Sequence, residues 1–292
     1  MIIIGCSHGL HVAKKIAKLL RRPYSKLEAT KFPDSETYLR FHCDVRKQQV
    51  VLVQSFYGDI NNCLMEVFFA AWTAKDLGAR KVILAAPFFP YFRQDARFNP
   101  GECVSLQVIA KFVDDCVDAF YVIDHHLHRE KTLAHIFNAE AHKITANPLM
   151  MEYIKHNVKN PLIVGPDWES YKWAQATAKM IGCESVILEK TRYNSRQVQV
   201  KLNKDIDISK NNLVLVDDMI STGHTLLETI KLLKQMGAKK FTCITVHGIF
   251  AEGALEKLQK AGAKVISCNT IPSGSSKIDV SGLLAHALKH AA

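Results

Sequence analysis

Short apolar segments rich in Val, Ile and Leu recur along the whole chain and alternate with stretches of helical periodicity. Nine of them have the length and composition of buried strands: MIII, VVLVQS, KVILAAPFF, AFYVID, PLIVGPD, SVILEK, LVLVDD, FTCITVHG and KVISCNT. Helical spacing of apolar residues occupies 61–79 and 105–116. Strands that are apolar throughout and alternate with helices are typical of parallel sheets covered on both faces. The pattern predicts an α/β fold with mainly parallel sheets and flanking helices.

The number of predicted strands indicates two domains. Nine strands are many for one sheet in a chain of 292 residues, which is long enough for two ordinary domains. Residues 144–161 have the pattern of a connecting stretch followed by a helix that opens a second unit. We therefore predict an amino-terminal domain at 1–145 and a carboxy-terminal domain at 146–292.

Polar residues follow the carboxyl ends of five predicted strands. They are Arg93, Gln94 and Asp95, then Asp124 and His126, then Asp167, then Lys190, and finally Asp217 and Asp218. Ligands of open α/β sheets bind at this edge. One such residue is an ordinary loop charge, but five strand ends with the same feature indicate a binding site.

The turn after the two adjacent aspartates has the composition of an anion site. Ser221, Thr222 and Thr225 supply hydroxyl donors, and Gly223 permits a positive φ or a close backbone approach. A helix that begins here points its first N–H groups and the positive end of its dipole at a bound anion. Helix capping accounts for one such residue, but hardly for the whole group.

The aspartates themselves require a different partner. The carboxylates of Asp217 and Asp218 are unsuited to the same phosphate and instead suit the hydroxyls of a sugar that carries it. They can meet the sugar directly or through a divalent metal. The segment therefore predicts a site for a phosphorylated sugar.

Composition and charge limit the classes of molecule that we expect the protein to bind. Hydrophobic residues make up 48% of the chain and charged residues 23%, which is an ordinary globular balance. The formal net charge of +10 attracts polyanions, including nucleotides and sugar phosphates. The basic residues are scattered rather than gathered in a long run, so we expect no nucleic-acid partner.

Cysteine usage and apolar run length indicate the compartment. The eight cysteines form no CxxC pair and lie mostly inside apolar runs, which is typical of reduced core residues. The amino terminus lacks the basic and long apolar regions of a signal peptide, and no apolar segment has the length of a membrane helix. We expect a cytoplasmic protein without a membrane partner.

Two aspartates before a Ser-Thr-Gly turn resemble the phosphoribosyl pyrophosphate loop of type I phosphoribosyltransferase folds. That resemblance covers both the transferases that consume the activated ribose and the synthetase that makes it. Five further segments resemble, in order, the motifs of ribose-phosphate pyrophosphokinases: KFPDSETYLR (31–40), APFFPYFRQDARFNPGE (86–102), VIDHHLHR (122–129), GPDWES (165–170) and LEKTRY (188–193). Simple phosphoribosyltransferases lack the first three, so the chain resembles the synthetases.

This resemblance implies two type I phosphoribosyltransferase-like domains, the first on the ATP side and the second on the ribose 5-phosphate side. It implies transfer of pyrophosphate from ATP to the anomeric hydroxyl of ribose 5-phosphate, with Mg²⁺ as cofactor and a homo-oligomer as the assembly. Two alternatives remain, a phosphoribosyltransferase and a non-catalytic regulatory homologue. The intact motifs speak against both.

The resemblance also implies roles for individual residues. Those that bind ATP are Phe32, Asp34, Ser35, Glu36, Arg93, Gln94 and Asp95. Without the resemblance we would take Phe32 for a core residue and its acidic neighbours for a solvated turn. Those that bind ribose 5-phosphate are Arg192, Asp217, Asp218, Ser221, Thr222, Gly223, His224 and Thr225.

Lys190 and Arg192 are implied as the catalytic residues, two cations at alternate positions that stabilise charge on the bridging phosphate oxygen. The metal residues are implied to be His126 and Asp167, with the histidine contact running through water because magnesium prefers oxygen ligands. His128 stands at zinc-ligand spacing, but no third ligand accompanies it. The chain departs from the family at Gly223-His224, where Gly-Gly is common, and after Asp167, where the bulky WESYKWA replaces small residues.

Overall fold

A computed structural model describes residues 1–124, 133–165, 171–194, 197–204 and 206–291, without the side chains of 171–173, 189–194 and 197–201. The chain forms two compact units. The first comprises 1–146 together with 279–292, and the second comprises 147–278. Our predicted second domain runs to residue 292, whereas the last fourteen residues group with the first unit.

The first unit is built on a six-stranded parallel sheet in the order β2-β1-β5-β6-β7-β8. Its strands are β1 (Ile2–Gly5), β2 (Tyr24–Lys26), β5 (Gln49–Val53), β6 (Lys81–Ala86), β7 (Ala119–Ile123) and β8 (Glu140–Ile144). A separate antiparallel hairpin is formed by β3 (Glu28–Lys31) and β4 (Thr37–Arg40). The central strands are buried along their whole length, as their apolar sequences require.

Four helices accompany this sheet: α1 (Leu10–Leu20), α2 (Ile60–Asp76), α3 (Ser105–Cys116) and α8 (Ser281–Lys289). Helix α8 belongs here because contacts near both its ends attach it to the unit. Lys15 Nζ lies 2.8 Å from the Asp279 carboxylate, and the Gln49 side-chain amide donates to the Ala291 carbonyl at 2.7 Å.

The second unit is built on a seven-stranded sheet in the order β11-β10-β9-β12-β13-β14-β15, parallel except for the β10–β11 pair. Its strands are β9 (Pro161–Gly165), β10 (Glu184–Asn194), β11 (Gln197–Leu202), β12 (Asn212–Ile220), β13 (Lys240–Gly248), β14 (Ala263–Cys268) and β15 (Ser276–Ile278). Its helices are α4 (Asn147–Asn157), α5 (Tyr171–Ile181), α6 (His224–Gln235) and α7 (Ala254–Lys260).

The predicted fold class is confirmed. All nine predicted strands are present, and the helices predicted at 61–79 and 105–116 are α2 and α3. The strands that the apolar pattern does not reveal are short or lie at sheet edges, as β2, β8 and β15 do. No helix among the described residues is long and apolar enough to cross a membrane.

Five of the eight cysteines have the burial that the sequence predicts for core residues, whereas Cys43 and Cys183 are half-buried. All eight are free thiols, and only Cys103 is exposed. Burial raises the pKa of Cys63, Cys116 and Cys243 to about 12 in each case. These three thiols are therefore protonated and unreactive near neutral pH.

A buried carboxylate joins α2 to the loops that follow β1 and β5. Glu66 is only 1% exposed and accepts hydrogen bonds from the Ser7 N–H at 2.8 Å, the Ser7 hydroxyl at 2.5 Å and the Gln54 side-chain amide at 3.1 Å. The loop that follows β1 also needs glycine at position 9, because a Cβ there would lie 1.8 Å from the Val53 carbonyl oxygen. Glu66 thus holds the carboxyl edge of the first sheet against α2.

We expect Glu66→Ala to destabilise the first unit by roughly 3 kcal/mol, because the buried Gln54 amide and the donors of Ser7 lose their acceptor. Glu66→Gln, which keeps the shape and one acceptor, should cost less. Thermal and urea unfolding followed by circular dichroism measure the difference. The matched control is Glu28→Ala, which removes a largely exposed pair with His42 and should cost less than about 1 kcal/mol. Equal losses for Glu66→Ala and Glu28→Ala would contradict a structural role for the network.

Candidate functional site

The two adjacent aspartates lie within β12 rather than after it. We predicted that the strand ends at Asp218, but pairing with β13 continues to Ile220, with Asp217 opposite Thr245 and Met219 opposite His247. The Ile220 carbonyl then accepts the N–H groups of the two residues that follow β13, both at 3.0 Å. The strand is longer than its apolar run because its neighbour continues to supply backbone hydrogen bonds.

The pKa of the Asp217 carboxyl group is raised above its ordinary value. Loss of hydration, followed by the hydrogen bond and the negative charge of Asp218, raises the pKa of Asp217 to about 7. The backbone N–H groups of Met219 and Asp218 act in the opposite direction without offsetting this rise. None of these influences on the pKa of Asp217 comes from a cation. The pair is therefore suited to receive hydrogen-bond donors or positive charge from a ligand.

The turn that follows has the backbone of an anion cradle. Gly223 has a φ of 69°, the positive value that the sequence allowed for, and it immediately precedes α6. No side chain caps this helix, and its first turn carries no acidic residue. Ser221 is half-buried, whereas Thr222 and Thr225 are exposed. The N–H groups at the start of α6 and these hydroxyls can together bind a phosphate.

His224, where the family often has glycine, occupies the first position of α6. Its Nε2 lies 3.3 Å from Oε1 of Glu228, one helical turn later, and both side chains are exposed. The side chain therefore has a partner along the helix in the absence of a ligand. A histidine at this position is compatible with the turn because its bulk lies along the exposed helix surface.

Lys190 and Arg192 lie in β10, which pairs antiparallel with β11. The chain returns along β10 as β11 directly after this segment. Lys190 is opposite Val200 and Arg192 is opposite Val198, with an irregularity in the register directly after Arg192. The predicted metal residues, His126 and Asp167, lie outside the described residues.

In the first unit, the predicted ATP-binding motif forms the turn of the β3–β4 hairpin. The Phe32 N–H donates to the Glu36 carbonyl at 2.8 Å, and the Ser35 N–H donates to the Phe32 carbonyl at 2.9 Å. The Asp34 carboxylate accepts the Glu36 N–H at 3.2 Å, and Ser35 has a φ of 76°. Phe32 is 49% exposed, so it is not the core residue that its neighbours alone suggested. The turn presents its ring and carboxylates to solvent.

The second predicted ATP segment lies between β6 and α3. Arg93 is exposed, and Gln94 and Asp95 are half-buried. The Gln94 carbonyl accepts the N–H of Leu106 at 3.3 Å, which attaches the segment to α3. The Tyr91 hydroxyl donates to the Asn61 side-chain oxygen at 2.5 Å, which attaches it to α2.

A cleft of about 580 Å³ opens between the hairpin turn and the first turns of α2. It is lined by Ser35, Glu36, Thr37, Asp59, Asn61, Asn62, Met65 and Phe69. Ser35 and Glu36 are predicted ATP-binding residues, but Arg93, Gln94 and Asp95 do not line this cleft. Asn61 and Asn62 carry no sequence signal that marks them as cleft residues, because asparagine at a helix start is usually a local cap.

The described residues fit a hard divalent cation at the aspartate pair. Asp217 and Asp218 offer oxygen donors, the ligand type that Mg²⁺ prefers, and the raised pKa of Asp217 shows that its negative charge is poorly compensated. Among the described residues, no group of three or more His, Cys, Asp or Glu side chains is arranged to hold a metal by itself. Any complete magnesium site therefore needs further oxygen donors, from a ligand or from other residues.

The raised pKa of Asp217 has a definite consequence for stability. Between its ordinary pKa near 4 and its folded pKa near 7, the folded protein keeps a proton that the unfolded chain has lost. Stability should therefore fall as pH rises through this window. Asp217→Asn should abolish this pH dependence. The melting temperature of the variant, relative to that of the unsubstituted protein, should therefore rise from pH 4 to pH 7 when both are measured with a chelator present.

Asp207→Asn serves as the control for this titration, because hydrogen bonds from Ser209 lower the pKa of Asp207. Its carboxylate contributes stability that is present above its ordinary pKa near 4 and is lost only on further acidification, so the melting-temperature difference for this variant should change little from pH 4 to pH 7. A melting-temperature difference for Asp217→Asn that stays constant across the window would contradict the buried, protonated state.

Comparison with known proteins covers the whole chain. Residues 1–116 match the family model of the N-terminal domain of ribose phosphate pyrophosphokinase, and residues 133–281 match that of the phosphoribosyl transferase domain. A ribose-phosphate pyrophosphokinase of Methanothermobacter thermautotrophicus is 35% identical over 289 residues, which are 99% of this chain and 100% of the relative. One of Pyrococcus furiosus is 33% identical over 280 residues, which are 96% and 97% of the two chains.

A solved structure agrees with these relatives. The crystal structure of phosphoribosylpyrophosphate synthetase from Mycobacterium smegmatis is similar to this chain with a TM-score of 0.85 and 25% sequence identity, covering 99% of this chain and 98% of that one. Sequence relatives and structure thus agree over nearly the full length. The chain belongs to the ribose-phosphate pyrophosphokinase family of enzymes.

Proposed function

We propose that the protein transfers the β,γ-diphosphate of ATP to the anomeric hydroxyl of ribose 5-phosphate, with Mg²⁺, and releases phosphoribosyl pyrophosphate and AMP. Membership of the family supports this reaction. The observation that carries the proposal is the aspartate pair of β12, which leads through Gly223 at positive φ into the uncapped start of α6. Sugar hydroxyls and a phosphate are the two groups that this arrangement suits.

Binding of ribose 5-phosphate follows from that arrangement. Its phosphate meets the N–H groups at the start of α6 and the hydroxyls of Ser221, Thr222 and Thr225. Its ring hydroxyls donate to the carboxylates of Asp217 and Asp218. The sugar is thereby held at two ends, which orients the anomeric hydroxyl for attack.

The chemical step forms one P–O bond, breaks another and releases the proton of the anomeric hydroxyl to solvent. The anomeric oxygen bonds to the β-phosphorus of ATP as the bond from this phosphorus to the α,β-bridging oxygen breaks, and AMP leaves with that oxygen. Lys190 and Arg192 neutralise the charge that grows on the phosphates and on the departing oxygen. Bound Mg²⁺ supplies further neutralisation of the phosphate charge; we assign its protein contacts to His126 and Asp167, with Asp217 and Asp218 near the sugar.

ATP recognition is assigned to the first unit. The exposed Phe32 ring offers a stacking surface for adenine, and Asp34 and Glu36 accept hydrogen bonds from the nucleoside, with Ser35 beside them. Arg93 and Gln94 meet the phosphates and nucleotide, and Asp95 orients them. We also propose that the working enzyme is a homo-oligomer, as the family resemblance implies.

One assay separates the proposal from its alternatives. The purified protein is incubated with ATP, MgCl₂ and ribose 5-phosphate, and AMP is quantified by chromatography. Formation of AMP only when all three are present is expected. If no AMP forms, but pyrophosphate is released from phosphoribosyl pyrophosphate and a nucleobase, the protein is a transferase. If neither reaction occurs, and the protein alters the rate of an active synthetase, it is a regulatory homologue.

We expect Lys190→Ala to lower kcat about 100-fold or more, with little change in the KM for ribose 5-phosphate, because its charge is needed mainly in the transition state. Initial rates of AMP formation over a range of ribose 5-phosphate concentrations measure both constants. Lys204→Ala is the matched control, since Lys204 is exposed and its Nζ lies 3.5 Å from Glu184, a pair of little energetic weight. Normal turnover with weakened ribose 5-phosphate binding in Lys190→Ala would remove the catalytic role.

A further inference from the structure

A buried hydroxyl without a partner lies beside the candidate sugar site. Thr245 in β13 is fully buried, and its Oγ1 has no hydrogen-bond partner among the described residues. Thr245 is directly opposite Asp217 in the parallel pairing of β12 with β13. A buried polar group that makes no hydrogen bond lowers the stability of a fold. Its presence next to a candidate ligand-binding carboxylate therefore needs an explanation.

The side chains of Asp217 and Thr245 lie on the same face of the second sheet. Residues that are opposite each other in neighbouring strands share a face, and the strands are about 4.8 Å apart. Leu215 and Cys243 form the pair two positions earlier, and both belong to the hydrophobic core of this unit. Helix α6, whose start is the candidate phosphate site, packs on this face through the same core. The Thr245 hydroxyl is thus a buried donor next to the Asp217 carboxylate.

The other polar side chains next to Thr245 in the sheet already have partners. On the far side of β13, Thr245 is opposite Ser267 in β14, whose hydroxyl lies 2.8 Å from that of Ser275. Two residues further along β13, Nδ1 of His247 lies 3.0 Å from the Thr270 hydroxyl. These groups are hydrogen-bonded without Thr245. The side-chain acceptor that remains in register with the Thr245 hydroxyl is the Asp217 carboxylate.

The shape of the site does not by itself account for a threonine at position 245. Valine has nearly the same shape, is also favoured in strands, and would leave no donor unsatisfied. Towards the amino ends of the strands the same face is apolar, with Phe241 and Val265 in the core. The hydroxyl therefore lowers stability without improving the packing, which is typical of a residue that contributes to a functional site.

We infer that Thr245 is a positioning residue for ribose 5-phosphate: its hydroxyl donates to one oxygen of the Asp217 carboxylate while a ribose hydroxyl donates to the carboxylate from the ligand side. This inference rests on the proposed function. A carboxylate accepts several hydrogen bonds through its two oxygens, and a donor behind it fixes its direction towards the sugar. Rotation of the Thr245 side chain between staggered positions brings its hydroxyl to the carboxylate without a change in the backbone.

Two variants of Thr245 separate this role from a structural one. Thr245→Val keeps the shape of the side chain and removes the hydroxyl. Without ligand it should raise the melting temperature by about 2 °C or more, because an unsatisfied buried group is lost. The KM for ribose 5-phosphate should nevertheless rise about tenfold, with kcat changed less than about twofold, because the aspartate–sugar contact is present in both the ground state and the transition state.

Thr245→Ser keeps the hydroxyl and removes the methyl group. Its melting temperature should fall, because a small cavity is left in the core. Its KM for ribose 5-phosphate should stay within about twofold of that of the unsubstituted protein, because the donor to Asp217 is retained. A purely structural role for Thr245 would instead change stability and affinity in the same direction. Thermal unfolding and initial rates of AMP formation measure the two quantities.

Thr177→Val is the matched control, because the Thr177 hydroxyl in α5 is also buried and has no hydrogen-bond partner among the described residues. It should raise the melting temperature in the same way and leave the KM for ribose 5-phosphate unchanged. An unchanged KM in Thr245→Val, an equal rise in Thr177→Val, or a loss of affinity in Thr245→Ser equal to that in Thr245→Val would overturn the inference.

The proposed function is decided separately, by whether the unsubstituted protein forms AMP. If AMP forms and the KM of Thr245→Val is normal, the inference fails and the proposed function holds. If no AMP forms, the proposed function fails, and the dissociation constant for ribose 5-phosphate, measured by calorimetry with MgCl₂ present, takes the place of KM. Absence of ribose 5-phosphate binding to the unsubstituted protein in that experiment would overturn the inference as well.

Discussion

Two carboxylates at adjacent positions of a buried strand are the constraint from which the candidate site follows. Asp217 and Asp218 cannot both be ionised there at low cost, because burial removes their hydration and each opposes the charge of the other. Protonation of Asp217, whose pKa is raised to about 7, relieves this cost. A ligand that supplies several hydroxyl donors, or a cation, lowers the cost of ionising both carboxylates. Such a ligand binds more favourably as a result. In the reaction that we propose, the pair therefore suits the sugar end of ribose 5-phosphate, and the turn after it suits the phosphate.

The buried carboxylate of Glu66 illustrates the difference between a structural acid and one suited to a ligand. Glu66 receives three hydrogen bonds from Ser7 and Gln54, both in the first unit. Its acceptor capacity is therefore largely used by the fold, and its contribution is to hold two loops against α2. Asp217 receives backbone donors but faces another acid. A carboxylate whose strongest neighbour is another carboxylate is better suited to binding a ligand than to packing the fold.

Most of the fold could be predicted because its central strands are apolar on both faces and leave an uninterrupted signal in the sequence. The edge strands leave a weaker one, since β8 is only partly buried and pairs with a neighbour on one side. The extension of β12 to Ile220 also has no local signal, because it depends on backbone pairing with β13. The same holds for α8, whose place in the first unit depends on partners as distant in sequence as Lys15 and Gln49.

The site shows the same division between local and tertiary information. The positive φ of Gly223 could be predicted from the turn itself, since few other residues adopt it without strain. The orientation of His224 could not, because it depends on a partner one helical turn away. Helix α2 is the extreme case, since its sequence is apolar all round and periodicity alone does not identify the inner side. Only packing separates Leu64 and Val67, which fill the core, from Phe69 and Trp72, which are exposed.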